Sequence, residues 1–155
     1  MKDEQLRHEL VDLLEGRGAH AEVVPALAAF PVKLAGEKPE GAPHTGWELV
    51  EHMRIAQHDI LEFAKDARFE SPPWPAGYWP KTPAPPDAKA WGRALASFEQ
   101  DLRAMIERVS DPEIDLFASI PHGEATLLHE ALILADHNAY HLGQLVMLRR
   151  QLEGR

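Results

Sequence analysis

The sequence predicts an all-α protein built as a four-helix bundle, and three observations carry that reading. Four segments place apolar residues at helical intervals, no segment sustains the strict alternation of a half-buried strand, and stretches dense in proline and glycine separate them. Each apolar stripe needs partners to cover it, and four such helices cover one another. At 155 residues the chain is read as one domain spanning 1–155.

The first helix is expected over residues 3 to 15, where Leu6, Leu10, Leu13 and Leu14 recur before Gly16 or Gly18 ends it. Residues 19 to 29 stay Ala-rich and helix-like. Pro25 near their middle marks either a kink or a separate short helix, because proline lacks an N–H and its ring crowds the preceding turn. Pro31, Gly36, Pro39, Gly41 and Pro43 make residues 30 to 44 a surface loop. Thr45-Gly46-Trp47-Glu48 then reads as a capping box. Behind it Leu49, Met53, Ala56, Ile60 and Phe63 carry a second helix of about five turns. On that helix His52 falls beside the stripe near Ala56 and Phe63, and His58 points roughly the other way.

Residues 67 to 86 hold Pro72, Pro73, Pro75, Pro80, Pro83, Pro85 and Pro86 together with Trp74, Tyr78 and Trp79. So long a connection in a compact domain needs a reason. Parallel helices before and after it supply one, since the chain must then travel the length of the bundle, about 30 Å for 20 helical residues. Asp87 is the expected cap of a third helix running to about residue 109, with Trp91, Leu95, Phe98, Leu102, Met105 and Val109 on its stripe before Asp111-Pro112 stops it. In the next connection Leu116, Phe117 and Ile120 are expected to dock on the bundle. The fourth helix starts between Gly123 and Thr126 and runs to about Leu152, with Leu127, Ala131, Leu134, Asn138, Leu142 and Leu145 as its stripe. Asn138 in that stripe must find a hydrogen-bond partner.

Composition narrows the function. Lys plus Arg total 16 against 25 Asp plus Glu, for a formal charge of -9, which disfavours nucleic acid and anionic membranes as partners. Without cysteine the chain has no disulfide, no thiolate of its own and no sulfur-ligated metal site. The N-terminal residues are charged and no apolar run approaches the roughly 18 residues of a membrane span, so a soluble cytoplasmic protein is expected. His-Glu-x-x-His, a repeated Glu-x-x-His, a phosphate-binding glycine loop and a serine nucleophile context are all missing.

The chemistry-bearing stretch is Asp136 through Gln144, where His137 and His141 stand four residues apart and point the same way from one helix. Such a pair holds a transition metal when a further ligand comes from elsewhere, and His52 is the candidate. Three neutral imidazoles suit Zn2+, Ni2+, Co2+ or Fe2+ and leave positions open for water or substrate. Spacing alone also fits hydrogen-bonded interior histidines, the commoner use of such a pair. Glu48, one turn before His52, and Glu130, two turns before His137, are candidate catalytic bases or outer ligands, as is Gln144. His44 and His122 sit at helix starts where a pocket mouth is expected; Trp74 and Trp79 are candidates to roof it. His129 and Asp136 are read as solvated, and Tyr140 as a contact residue.

Three blocks resemble the DinB-like superfamily of helical bundles, which includes the YfiT-type proteins. They are His44 through Gln57, Gly77-Tyr78-Trp79-Pro80, and His122-Gly123-Glu124 on through Ala135 to Gln144. The resemblance implies an up-down-down-up bundle and one divalent metal, zinc or nickel, on His52, His137 and His141. It further implies activation of a low-molecular-weight thiol for transfer to a small electrophile, with a metal-dependent hydrolase as alternative; the competing reading from another class is a non-catalytic, metal-stabilised structural or binding protein. A homodimer is implied as well.

Overall fold

Helix α1 (Lys2–Glu15) opens the computed structural model, which describes residues 2–154. Gly16 and Gly18 break it with φ of +80° and +93°, left-handed backbone that glycine adopts without a Cβ penalty. Of the two readings of Pro25, the separate helix holds. It stands third in α2 (Val23–Ala28), inside the first turn, where its missing N–H had no intrahelical acceptor to lose.

The buried face of α1 differs from the leucine stripe. Leu10 and Leu14 are buried, but Leu13 is 47% exposed and Arg7 lies inside at 8%. Arg7 is there because it closes another helix: its guanidinium donates to the carbonyls of Val109 (2.9 Å), Asp111 (2.7 Å) and Ile114 (2.8 Å), and its Nε pairs with Asp3 (2.8 Å). These carbonyls end α4 (Ala90–Ser110) and the turn behind it, where a cation also suits the helix dipole.

Thr45 and Glu48 form both halves of the capping box at the start of α3 (Gly46–Lys65). Gly46 is required there by contact, since a Cβ would stand 2.5 Å from the Phe30 ring. That ring stacks on Trp91 at 5.4 Å and closes the core at this end. Asp87 is not the cap of α4, as expected, because the helix starts later, with Lys89 in the cap position. The Asp87 carboxylate instead orders the preceding turn by accepting from the Lys89 N–H (2.8 Å) and from Arg93 (2.6 Å). In the next connection Leu116 and Ile120 dock, whereas Phe117 is 62% exposed. Thr126 caps α5 (Leu127–Glu153), accepting from His129 N–H.

Directions follow from who meets whom. Trp47 and Glu51 at the start of α3 adjoin Ala90 and Ala94 at the start of α4, and further along His58 meets Asp101 at 3.0 Å, so the two helices are parallel. Helix α5 is antiparallel to α3: Leu49 adjoins Leu148, His52 meets His141, and Phe63 stacks on His122 ahead of α5. Helix α1 is antiparallel to α4, with Arg7 at the far end of α4 and Glu15 beside Leu102. The four long helices therefore run up, down, down, up, and residues 66–89 make the traverse between the two parallel ones.

Across the middle of the core Asn138 Nδ2 donates to Gln57 Oε1 (3.0 Å) and Gln57 Nε2 to the Phe98 carbonyl (2.6 Å), linking α5, α3 and α4. Among the described residues no sheet forms, and no helix is long and apolar enough to cross a membrane.

Replacing Arg7 with methionine keeps the stem's packing and strands three carbonyls, which costs stability on the order of 2–4 kcal/mol. Urea unfolding of Arg7→Met beside Leu13→Ala checks this; equal midpoints for the two variants would show that water serves those carbonyls as well.

Candidate metal centre

His52 lies two turns into α3, His137 and His141 in the middle of α5, and the antiparallel packing of these helices brings the rings together. His52 Nε2 is 3.1 Å from His141 Nε2 and 3.1 Å from His137 Nε2. The rings meet edge to edge at steep angles, with centroids 4.5 to 4.9 Å apart, so each aims a nitrogen at one centre. His52 and His141 are buried and His137 is partly so.

What surrounds the rings decides which nitrogens carry protons. The Tyr78 carbonyl oxygen is 2.8 Å from His52 Nδ1, and Gln144 Oε1 is 2.8 Å from His141 Nδ1. Both partners are acceptors, so each Nδ1 donates and each Nε2 keeps its lone pair. Two lone pairs then face each other across 3.1 Å, an arrangement that a cation between them relieves. Tetrahedral bonds of about 2.0–2.1 Å set nitrogens roughly 3.3 Å apart, close to the observed spacing. The donor set fits a divalent ion, and the three histidines form a site capable of coordinating one.

The charge states agree. Burial first, then the neighbouring His141 and His52, holds His137 down to about 4. Burial likewise depresses His52 and His141 against the opposing effect of their hydrogen bonds. Neutral imidazole, the ligand form, therefore persists well below neutral pH.

The proline-rich connection builds one wall. Tyr78 spans two turns of α3, its carbonyl on His52 and its hydroxyl donating to Asp59 at 2.6 Å; burial and Asp59 push that phenol up to about 12. Trp79 stacks on His52, with ring centroids 4.1 Å apart and planes 4° from parallel, and also on His44 at 4.1 Å. Thr45 Oγ1, besides capping α3, donates to the Pro83 carbonyl at 2.6 Å and pins this connection to the helix that carries His52.

The remaining sequence candidates divide. Gln144 orients His141, and Trp79 covers the site, while Trp74 is 78% exposed and meets the Tyr78 ring at 5.5 Å rather than the histidines. His44 reaches the centre through Trp79; His122 instead bonds the Asp66 carbonyl and stacks on Phe63. His129, Asp136 and Tyr140 are exposed. Glu48 Oε2 accepts the Thr45 N–H at 2.8 Å, and Glu130 is buried with its pKa raised, first by that burial and then by Asp59 against His129. Among the described residues neither carboxylate bonds to the three imidazoles. The sequence reading missed the Tyr78 carbonyl, since a main-chain acceptor leaves no mark in composition; its only trace was the Gly77-Tyr78-Trp79-Pro80 block.

A family model described as the DinB superfamily matches residues 15–145, which include all three histidines. No curated protein and no solved structure matched the chain.

The depressed imidazoles fix a pH dependence for the metal-free protein. Between about 6.5 and about 4 the unfolded chain binds more protons at these positions than the folded one, so stability is fully present above that window and declines as pH falls through it. Urea unfolding of chelator-treated protein at stepped pH reads the slope, and His137→Gln flattens it. An unchanged slope in that variant contradicts the burial argument.

Proposed function

The chain belongs to the DinB superfamily, and from that premise we propose that it is a mononuclear divalent-metal protein that activates a small thiol for transfer to an electrophile. His52, His137 and His141 are its ligands, and zinc or nickel is the metal. The observation that carries this reading is the pair of acceptors, Tyr78 O and Gln144 Oε1, that turn two Nε2 lone pairs toward a common point in a largely buried site. Hydrogen-bonded interior histidines have no need for lone pairs facing each other.

Three protein ligands are the number that catalytic centres use while keeping a position free, whereas structural zinc is held by four. A bound divalent ion lowers the pKa of a thiol that joins it and so presents a thiolate at neutral pH. The chain contributes no cysteine thiol of its own, so the thiol arrives as substrate. Its residues do the rest by position: Tyr78 and Gln144 hold two rings in one tautomer, and Trp79 shields His52 from water.

Burial of Glu130, with its raised pKa, favours a second reading in which the same centre hydrolyses a substrate and Glu130 moves the proton. Glu48 suits that role less, being engaged by its cap.

Metal analysis of purified protein beside His137→Ala and the exposed control His58→Ala tests the site. The expected result is near-stoichiometric metal in wild type and His58→Ala and about a tenth or less in His137→Ala. Equal content in all three sinks the assignment. With the metal in place, loss of an electrophile that depends on added thiol supports transfer, and turnover of ester or amide substrates without thiol replaces it with hydrolysis.

A further inference from the structure

We propose that the cleft between the loop at residues 40–44 and the C-terminal half of α5 binds the acceptor substrate, and that this acceptor is an uncharged, largely apolar small molecule. The proposal rests on the transferase reading and adds the chemistry of the second substrate.

The cleft measures about 660 Å3, within the range that holds small organic ligands. Leu49, Met147 and Leu148 give it apolar walls, and Met147 is 58% exposed although it is large and apolar, as is Tyr140 at 65%. Its polar lining is not scattered. Gln144 holds His141 Nδ1, the Tyr140 ring meets the His141 ring at 5.0 Å, and His44 stacks on the Trp79 that covers His52. One end of the cleft therefore abuts residues that touch His141 and the Trp79 on His52, so a ligand seated there is separated from the histidines by a single layer of side chains.

Charge selects the occupant. Glu40 lines the cleft, and no lysine or arginine does among the described residues. The ammonium of Lys38, just ahead of the loop, is exposed and donates to the Pro43 carbonyl at 3.1 Å. An anionic ligand would meet Glu40 and, as counter-charge, a solvent-exposed lysine at the rim, in a chain of formal charge -9. A neutral apolar body meets no such repulsion.

Gly143 keeps the cleft open. It faces the space from mid-helix, and a Cβ built there meets no atom within 4 Å. Glycine is less favourable than alanine at an interior helical position, so a side chain here fills the cleft without straining the helix.

The test uses metal-loaded protein and two fluorescent probes of one skeleton, neutral N-phenyl-1-naphthylamine and its anionic 8-sulfonate. Wild type is expected to bind the neutral probe at least about tenfold more tightly than the sulfonate. Gly143→Phe is expected to weaken the neutral probe by about tenfold or more while its metal content equals that of wild type. Equal or tighter binding of the sulfonate overturns the proposal, as does unchanged probe binding in Gly143→Phe. So does a wild-type dimer that excludes both probes and dissociates in Gly143→Phe, which makes the cleft an interface between copies. Selective probe binding by a wild type that carries no metal removes the reading of the centre and leaves an apolar ligand site standing.

Discussion

The centre depends on two hydrogen bonds that never touch its middle. The Tyr78 carbonyl and Gln144 Oε1 each accept from an Nδ1–H, and this fixes both the tautomer and the tilt of His52 and His141. Without those acceptors each ring is free to put its proton on Nε2, and the cluster becomes a set of interior imidazoles donating to one another. The two acceptors differ in origin. Gln144 sits one turn along the same helix as His141, so its placement is local, whereas Tyr78 comes from a connection far along the chain and must be brought there.

That delivery explains the proline-rich connection. Parallel α3 and α4 oblige the chain to cross the bundle between them, and the crossing passes over the face of α3 that carries His52 and Asp59. Prolines hold the segment extended at small entropic cost, since they are already restricted when unfolded. Thr45 ties one part of it by the Pro83 carbonyl, and Tyr78 ties another at both its carbonyl and its hydroxyl. A topological necessity thus becomes the wall of the site, and the aromatic residues that bury it also cover His52.

Helix register between α3 and α5 is the other requirement, because a slip of one turn, about 5.4 Å, separates His52 from its partners. Apolar stripes tolerate such slips better than polar pairs do. The bond from Asn138 to Gln57, and from Gln57 to the Phe98 carbonyl, ties three helices at one level of the core, close to the histidines. A buried amide pair that is bonded in one register and parted in the next costs more to misplace than a leucine.

The helices, their caps and the candidate ligands were legible in the sequence, because each is a local property. Thr45 and Glu48 sit at capping-box spacing, the stripe of α5 has helical period, and His137 and His141 share a face by arithmetic. Asn138 advertised a buried polar partner without naming it, and only packing supplied Gln57. Asp87 misled because its carboxylate serves a turn ahead of the helix, and Leu13 misled because the burial of Arg7 turned α1 toward the end of α4. The Tyr78 carbonyl on the His52 ring and the cleft beside Gln144 belong to the tertiary structure alone, while the meeting of His52 with the α5 pair and the cover of Trp79 were expectations that packing had to supply. Local spacing determines which side of a helix a residue occupies, but which helix lies opposite, and at what height, is set by the summed packing of the whole core.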